Sequence, residues 1–190
     1  MEGLMRIILI IALFIAVIVL PYVIFVYNSF VSLKNNIKKA WANVDVLLKQ
    51  RYDELPNLVE AVKGYMKHEK KVLEELTSMR AAMMGASSKN EMARLSDEVS
   101  GSIKSIFAVA ENYPKLQASQ NFLKLQQRIT SLENEIADRR EFYNDSVNIY
   151  NIKTESFPDL IVARMFKYTK EEPFSANAGE KQNVKIKMNR

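Results

Sequence analysis

From Ile7 to Leu33 the chain carries no charged residue, and no other feature restricts its fold as strongly. The part from Ile7 to Phe25 is almost wholly Ile, Leu, Val, Ala and Phe. A helix of about 20 apolar residues crosses the hydrocarbon core of a bilayer, so this stretch is long enough to span one. A secretory signal peptide would have a shorter apolar core followed by small residues at a cleavage site. Here Leu20 is followed by Pro21-Tyr22-Val23-Ile24-Phe25-Val26-Tyr27, which is bulky and aromatic. A buried core helix would be unusual with such unbroken hydrophobicity. The stretch therefore reads as a retained transmembrane anchor. Pro21 is tolerable there because membrane helices re-satisfy freed backbone groups, and Tyr22 and Tyr27 suit the interfacial belt. Lys34, Lys38, Lys39, Lys49 and Arg51 follow the span, whereas Arg6 alone, beside Glu2, precedes it. The positive-inside rule then puts the rest of the chain in the cytoplasm, with a single pass through the inner membrane and the N-terminus outside.

Beyond the span the periodicity is helical throughout. Leu33, Ile37, Trp41, Val44 and Leu48 fall on one face at three- and four-residue steps, with no Pro or Gly between them and the apolar stretch. Span and first bundle helix should thus be one rod ending near Leu55, since Pro56 removes a donor and disfavours helix before it. A second helix is expected over Leu58, Val62, Tyr65, Glu69, Val72, Leu76, Met79 and Met83, a heptad-like seam. Gly85-Ala86-Ser87-Ser88 reads as a turn. A third helix carries Met92, Leu95, Val99, Ile106 and Val109 and closes at Pro114. A fourth carries Phe122, Leu125, Ile129, Leu132, Ile136, Tyr143, Val147 and Tyr150, broken at Phe157-Pro158, with a short closing helix over Leu160 to Phe166. Val184-Lys185-Ile186-Lys187-Met188 alternates as an edge strand would. With only 5 glycines and 5 prolines, and charged residues at 26%, long helices are favoured over a sandwich of short strands. Each helix must bury a stripe, and an antiparallel bundle does so with short connections. The expected fold is all-α: a transmembrane helix continuing into an antiparallel, four-helix, coiled-coil-like bundle. The expected divisions are 1–27 for the anchor, 28–168 for the bundle and 169–190 for a polar tail.

Most catalytic chemistry has no residues to carry it. The absence of cysteine excludes disulfides, thiolate zinc sites and cysteine nucleophiles. The single histidine, His68, opens a His-Glu pair like that of zinc proteases, but the second ligand would fall at Val72. A di-iron bundle needs Glu-x-x-His, and the residue three before His68 is Tyr65. No phosphate-cradling glycine loop, Gly-x-Ser-x-Gly elbow or Ser-x-x-Lys pair occurs. No catalytic residue, cofactor or metal is expected, and His68 reads as a helix surface residue. The net charge of +5 is spread along the chain and reads as solvated surface, not as a nucleic-acid footprint.

What does stand out is polarity on apolar faces. Glu69 falls on the Tyr65–Val72–Leu76 seam, and Glu133, Arg140, Asn144 and Asn151 recur beside the Ile136–Tyr143–Tyr150 stripe at seven- and four-residue steps. Singly each reads as solvated; together they suggest one partly buried network, with Glu69 and Arg140 paired. A carboxylate inside a bundle is costly unless paired, and the planar guanidinium is its natural partner. Such networks more often fix helix register than perform chemistry. Lys34, Lys38 and Lys39 beside the span could meet anionic lipid, at about 1 kcal/mol each.

The stretch Arg51-Tyr52-Asp53-Glu54-Leu55-Pro56-Asn57-Leu58-Val59, then Val62-Lys63-Gly64-Tyr65 and His68-Glu69, resembles the signature of LemA family proteins. Ala110-Glu111-Asn112-Tyr113-Pro114, Asn121-Phe122, Leu125-Gln126, Glu133, Ile136-Ala137, Arg140, Tyr143-Asn144, Val147, Tyr150-Asn151 and Phe157-Pro158 follow in the same order. The resemblance runs from about Tyr27 to Phe174; Glu54 replaces a usually aliphatic residue, and the tail is only loosely similar. It implies a single-span bacterial-type membrane protein with a helical domain, no cofactor and no catalytic residue. The expected role is a membrane-tethered scaffold, self-associating or binding other membrane proteins, with an accessory subunit of a membrane enzyme or protease, or direct lipid remodelling, as the alternatives.

Overall fold

A computed structural model describes residues 1–66 and 69–174. The helices are α1 (Glu2–Lys63), α2 (Lys70–Gly85), α3 (Lys89–Ala110), α4 (Pro114–Gln117), α5 (Gln120–Glu155) and α6 (Asp159–Met165). No strand occurs among the described residues, and the fold is all-α. The alternating segment Val184 to Met188 lies outside the described residues, as does His68. The chain forms two compact units. One comprises Met1–Ala42 and Phe142–Pro173; the other, among the described residues, comprises Asn43–Glu141 and Phe174.

In the first unit, α1 begins with its large apolar side chains exposed, Leu13, Phe14 and Phe25 at 66%, 67% and 70% among them. It is the one helix among the described residues that is long and apolar enough to cross a membrane. From Val26 the pattern becomes amphipathic: Val26, Phe30, Ile37 and Ala40 are buried. They face Tyr143, Val147 and Tyr150 of α5, which runs antiparallel. The Trp41 ring meets Tyr143 at 5.6 Å and Phe30 meets Tyr150 edge-on at 5.9 Å. Further along, the Tyr22 hydroxyl donates to Asp159 at 2.6 Å. Short α6 buries Val162 and Ala163. The chain then leaves helix at Lys167, whose φ of 57° lies in the left-handed region.

In the second unit, α1 continues its buried stripe through Val44, Leu48, Tyr52, Leu55, Leu58 and Val62. Also buried in this unit are Leu95, Val99, Ile103 and Ile106 of α3 and Phe122, Ile129, Leu132 and Ile136 of α5. Each fully buried side chain of this size contributes about 1.5–3 kcal/mol. The expected turn at Gly85 to Ser88 is one residue shorter, since Gly85 ends α2 and Ala86, Ser87 and Ser88 make the connection. The Ser88 hydroxyl accepts from the Glu91 backbone N–H at 3.2 Å, and the Glu91 carboxylate accepts from the Ser87 N–H at 3.1 Å. This reciprocal arrangement caps α3.

Three expectations are corrected. Pro56 does not end the first helix, because α1 runs on to Lys63. Pro56 sits on the exposed side of the helix while Tyr52, Leu55 and Leu58 are buried. Their packing outweighs the roughly 3 kcal/mol that a helix-interior proline costs. Second, the seam expected to run unbroken from Leu58 to Met83 is divided. α1 stops at Lys63, and the Tyr65 and Met66 N–H groups both donate back to the Val62 carbonyl. Gly64, the poorest helix former after proline, stands at that break. Third, Pro114 does not close α3, which ends at Ala110; it opens α4 at a first-turn position where its missing N–H is not needed.

Candidate functional site

The largest fully buried side chain of the second unit is that of Arg51, with 0% exposure. It lies on the Leu48–Leu55 face of α1, so its guanidinium must either pair or disrupt the core. One terminal nitrogen donates to Glu133 of α5 at 2.6 Å and to the Ser100 hydroxyl of α3 at 2.8 Å. The other donates to the Ser96 hydroxyl at 2.8 Å and the Ser96 carbonyl at 3.2 Å. Ser100 in turn donates to the second Glu133 oxygen at 2.7 Å. One planar cation therefore holds α1, α3 and α5 at a single level. Tyr52, stacked beside it at 5.4 Å, has its phenol pushed above the ordinary 10.0 by burial, which outweighs the lowering effect of Arg51.

Arg140, further along α5, makes a different and more open contact. It donates to Asp97 of α3 at 2.5 Å, and its guanidinium lies over the buried Phe174 ring at 4.5 Å. The expected pairing with Glu69 is not formed. Glu69 occupies the N-cap position of α2, its carbonyl accepting from the Leu73 N–H at 3.4 Å. The break at Gly64 takes Glu69 off the helical seam on which that pairing relied.

In the first unit the polar groups grip backbone. Asn151 donates to the Glu171 carbonyl and accepts from the Glu171 N–H, both at 2.9 Å. The Tyr143 hydroxyl donates to the Glu172 carbonyl at 3.1 Å and the Tyr150 hydroxyl to the Thr169 carbonyl at 3.0 Å. The segment after α6 thus gains from side chains the partners it lacks as secondary structure. Tyr150 is raised above 10.0, first by burial and then by the Glu171 charge. Lys34 is drawn into the same region, 3.7 Å from Glu171 and 5.9 Å above the Tyr168 ring. Lys38 and Lys39 are exposed.

The single network expected of Glu69, Glu133, Arg140, Asn144 and Asn151 is therefore resolved into separate contacts. Glu133 joins Arg51, Arg140 joins Asp97, and Asn151 joins Glu171; Asn144, half-buried, also has an interaction partner. Sequence reasoning missed Arg51, which it counted with the basic flank of the span. The signal was its place three residues after Leu48 and four before Leu55 on the buried face. Among the described residues no group of three or more His, Asp or Glu side chains could hold a metal ion. An apolar cleft of about 1030 Å³ opens beside Val59, Lys63, Met66, Leu73, Thr77 and Ala81.

These features define an all-α protein whose polar core fastens helices to one another and to backbone, with one candidate membrane span. The LemA family model matches residues 40–188, and the chain belongs to the LemA family. It is similar to Protein LemA of Metamycoplasma hominis, 26% identical over 161 residues that cover 83% of this chain and 72% of that protein. It is also similar to Magnetosome proteins MamQ 1 and MamQ 2 of Paramagnetospirillum magneticum. Each is 21% identical over 174 residues, covering 78% of this chain and 64% of the relative's length. Family and relatives together make this a membrane-associated protein of the LemA type.

Proposed function

We propose that this protein is a non-enzymatic, membrane-anchored helical scaffold that assembles with copies of itself. The observation that carries the reading is an exposed apolar stripe on α5. Phe142, Ile149 and Ile152, at 54%, 56% and 55% exposure, follow one another at seven- and three-residue steps. That is the spacing of a coiled-coil seam, and it lies apart from the buried stripe of Tyr143, Val147 and Tyr150. Exposed apolar side chains in register on a long helix fit a second helix of the same kind. In the same unit, α1 supplies the anchor, with the following domain in the cytoplasm and the apolar stretch in the inner membrane. The division at 27 and 28 separates anchor from bundle, and Lys38 and Lys39 lie free to meet anionic headgroups. Light scattering of the full chain in detergent tests the assembly. A homo-oligomer that Ile149→Gln with Ile152→Gln converts to monomer is the expected result. A wild-type monomer overturns it.

A second reading, a docking subunit for another membrane protein, is favoured by the apolar cleft beside Val59, Met66 and Leu73. It predicts a monomer that copurifies with one stoichiometric partner and loses it on Leu73→Glu.

A further inference from the structure

We infer that the chain touches the bilayer at a second place: the turn from Phe157 through α6 inserts an apolar face into the lipid interface beside α1. The inference rests on the reading of α1 as a membrane span. Counted from Ile7, about 20 residues of helix reach Val26. Tyr22 therefore lies about 6 Å short of that end, at 1.5 Å per residue. At this level the Tyr22 hydroxyl donates to Asp159, the first residue of α6. Where α6 has ended, Phe166 packs on Tyr27 with ring centroids 4.9 Å apart. So α6 and the last turns of the apolar stretch occupy the same depth within one unit.

The outward side of this turn is apolar. Phe157, Ile161 and Met165 recur at four-residue steps and are 81%, 60% and 58% exposed, while Val162 and Ala163 face inward. Such a cluster on the surface of a soluble domain marks an interaction site. Its occupant follows from continuity, because the neighbouring surface of α1 is itself exposed, apolar and read as lipid-facing. The charges agree. Asp159, which would be costly at that depth if bare, is joined to Lys153 at 3.0 Å and to Tyr22. Arg164 and Lys167 are exposed beside the apolar face, where an interfacial helix carries its headgroup-binding cations. The span would thus be braced by a wedge that returns to the membrane after the bundle.

The chain has no cysteine, so single labels are clean. The full chain, carrying Phe157→Cys or Ile161→Cys with an environment-sensitive fluorophore, is placed in phosphatidylcholine–phosphatidylglycerol nanodiscs. Ile18→Cys reports the span and Asp138→Cys an exposed helix position. The expected result is a blue-shifted emission at 157 and 161, quenched by brominated acyl chains and shielded from iodide, approaching that at 18. Emission at 157 and 161 like that at 138, with 18 still lipid-quenched, overturns the wedge and leaves the span intact. Shielding from both quenchers at 157 and 161 also overturns it, and assigns the face to a second copy. A label at 18 open to iodide refutes the span, and the wedge with it.

Discussion

In the unit that contains Arg51, three helices meet on a buried charge; in the unit that contains the apolar stretch, neutral side chains hold a chain segment by its backbone. The first arrangement is directional and expensive. Arg51 is wholly enclosed, Glu133 keeps 23% of its side-chain surface, and every donor placed on the carboxylate comes from a different turn of α1 or α3. Sliding any one helix by a residue strands a charge. The second arrangement is adaptable: Tyr143, Tyr150 and Asn151 recognise carbonyl and N–H groups that any sequence would present. The contrast teaches that this fold uses charge to fix helix register and uses amide and phenol chemistry to tie down a segment with no helix of its own.

The sharpest way to break the contrast is Arg51→Ala. It leaves Glu133 without its cation inside the bundle, and losing one partner of a buried pair costs about 3–5 kcal/mol. Partial exposure of Glu133 favours the lower half of that range. Chemical denaturation of the detergent-solubilised chain measures it. Replacing both, Arg51→Met with Glu133→Leu, should recover most of the loss, since an apolar pair of similar volume is often neutral. A double variant as unstable as Arg51→Ala would mean that the cation acts through something other than the pair.

Asn151→Ala should cost less, about 1–3 kcal/mol for leaving buried backbone groups unpaired. Its signature is local. Hydrogen exchange should quicken at the Glu171 amide while amides of α3 keep their protection. Uniform quickening would show that the segment after α6 is part of one cooperative core.

Smaller still is Arg140→Ala. Arg140 and Asp97 keep 25% and 40% of their side-chain surface, so the pair is worth roughly 0–1 kcal/mol. The stacking on Phe174 adds about 0.5–1 kcal/mol. Double-mutant cycles should find coupling with Asp97→Ala and none with Glu69→Ala. Coupling to Glu69 would restore the pairing that the break at Gly64 removes.

The helices were legible because their burial is periodic: Ile37, Val44 and Leu48 of α1 and the α5 stripe from Phe122 to Tyr150 fall where spacing puts them, while Leu33 and Trp41 are only half-buried and the buried stripe of α1 begins earlier, at Val26. The outcome at Pro56 was hidden because local propensity argues for a stop, and only tertiary packing argues against it. Glu133, Arg140 and Asn151 were visible as polar residues beside an apolar stripe. Their partners were not, because pairing between helices depends on register that one sequence does not encode locally. Arg51 reaches residues 45 to 82 positions away, and Ser96 and Ser100 look like any helix serine until a guanidinium meets them. The backbone held by Asn151 has no sequence signal, since carbonyls are the same everywhere.

The smallest expected effect concerns the polar cluster at the start of α6. Burial tends to raise the Asp159 pKa, but the hydrogen bonds from Tyr22 and Lys153 and the Lys153 charge together outweigh it, so the value falls below the ordinary 3.8. A carboxylate with a lower pKa in the folded state than in the unfolded one binds fewer protons when folded. Its contribution is then complete above that ordinary value and is lost as pH drops through the lower folded value. Asp159→Asn abolishes the charge but keeps the shape. At neutral pH the variant should melt below the wild type, by a small margin because solvent still reaches the pair. As pH is lowered past the ordinary carboxylate value, the wild type should lose that margin and the two melting curves converge. The remaining carboxylates titrate in both proteins and cancel in the difference. Curves that coincide at every pH would show that Asp159 holds α6 against Tyr22 by its hydrogen-bonding shape alone, with no contribution from the charge that Lys153 neutralises.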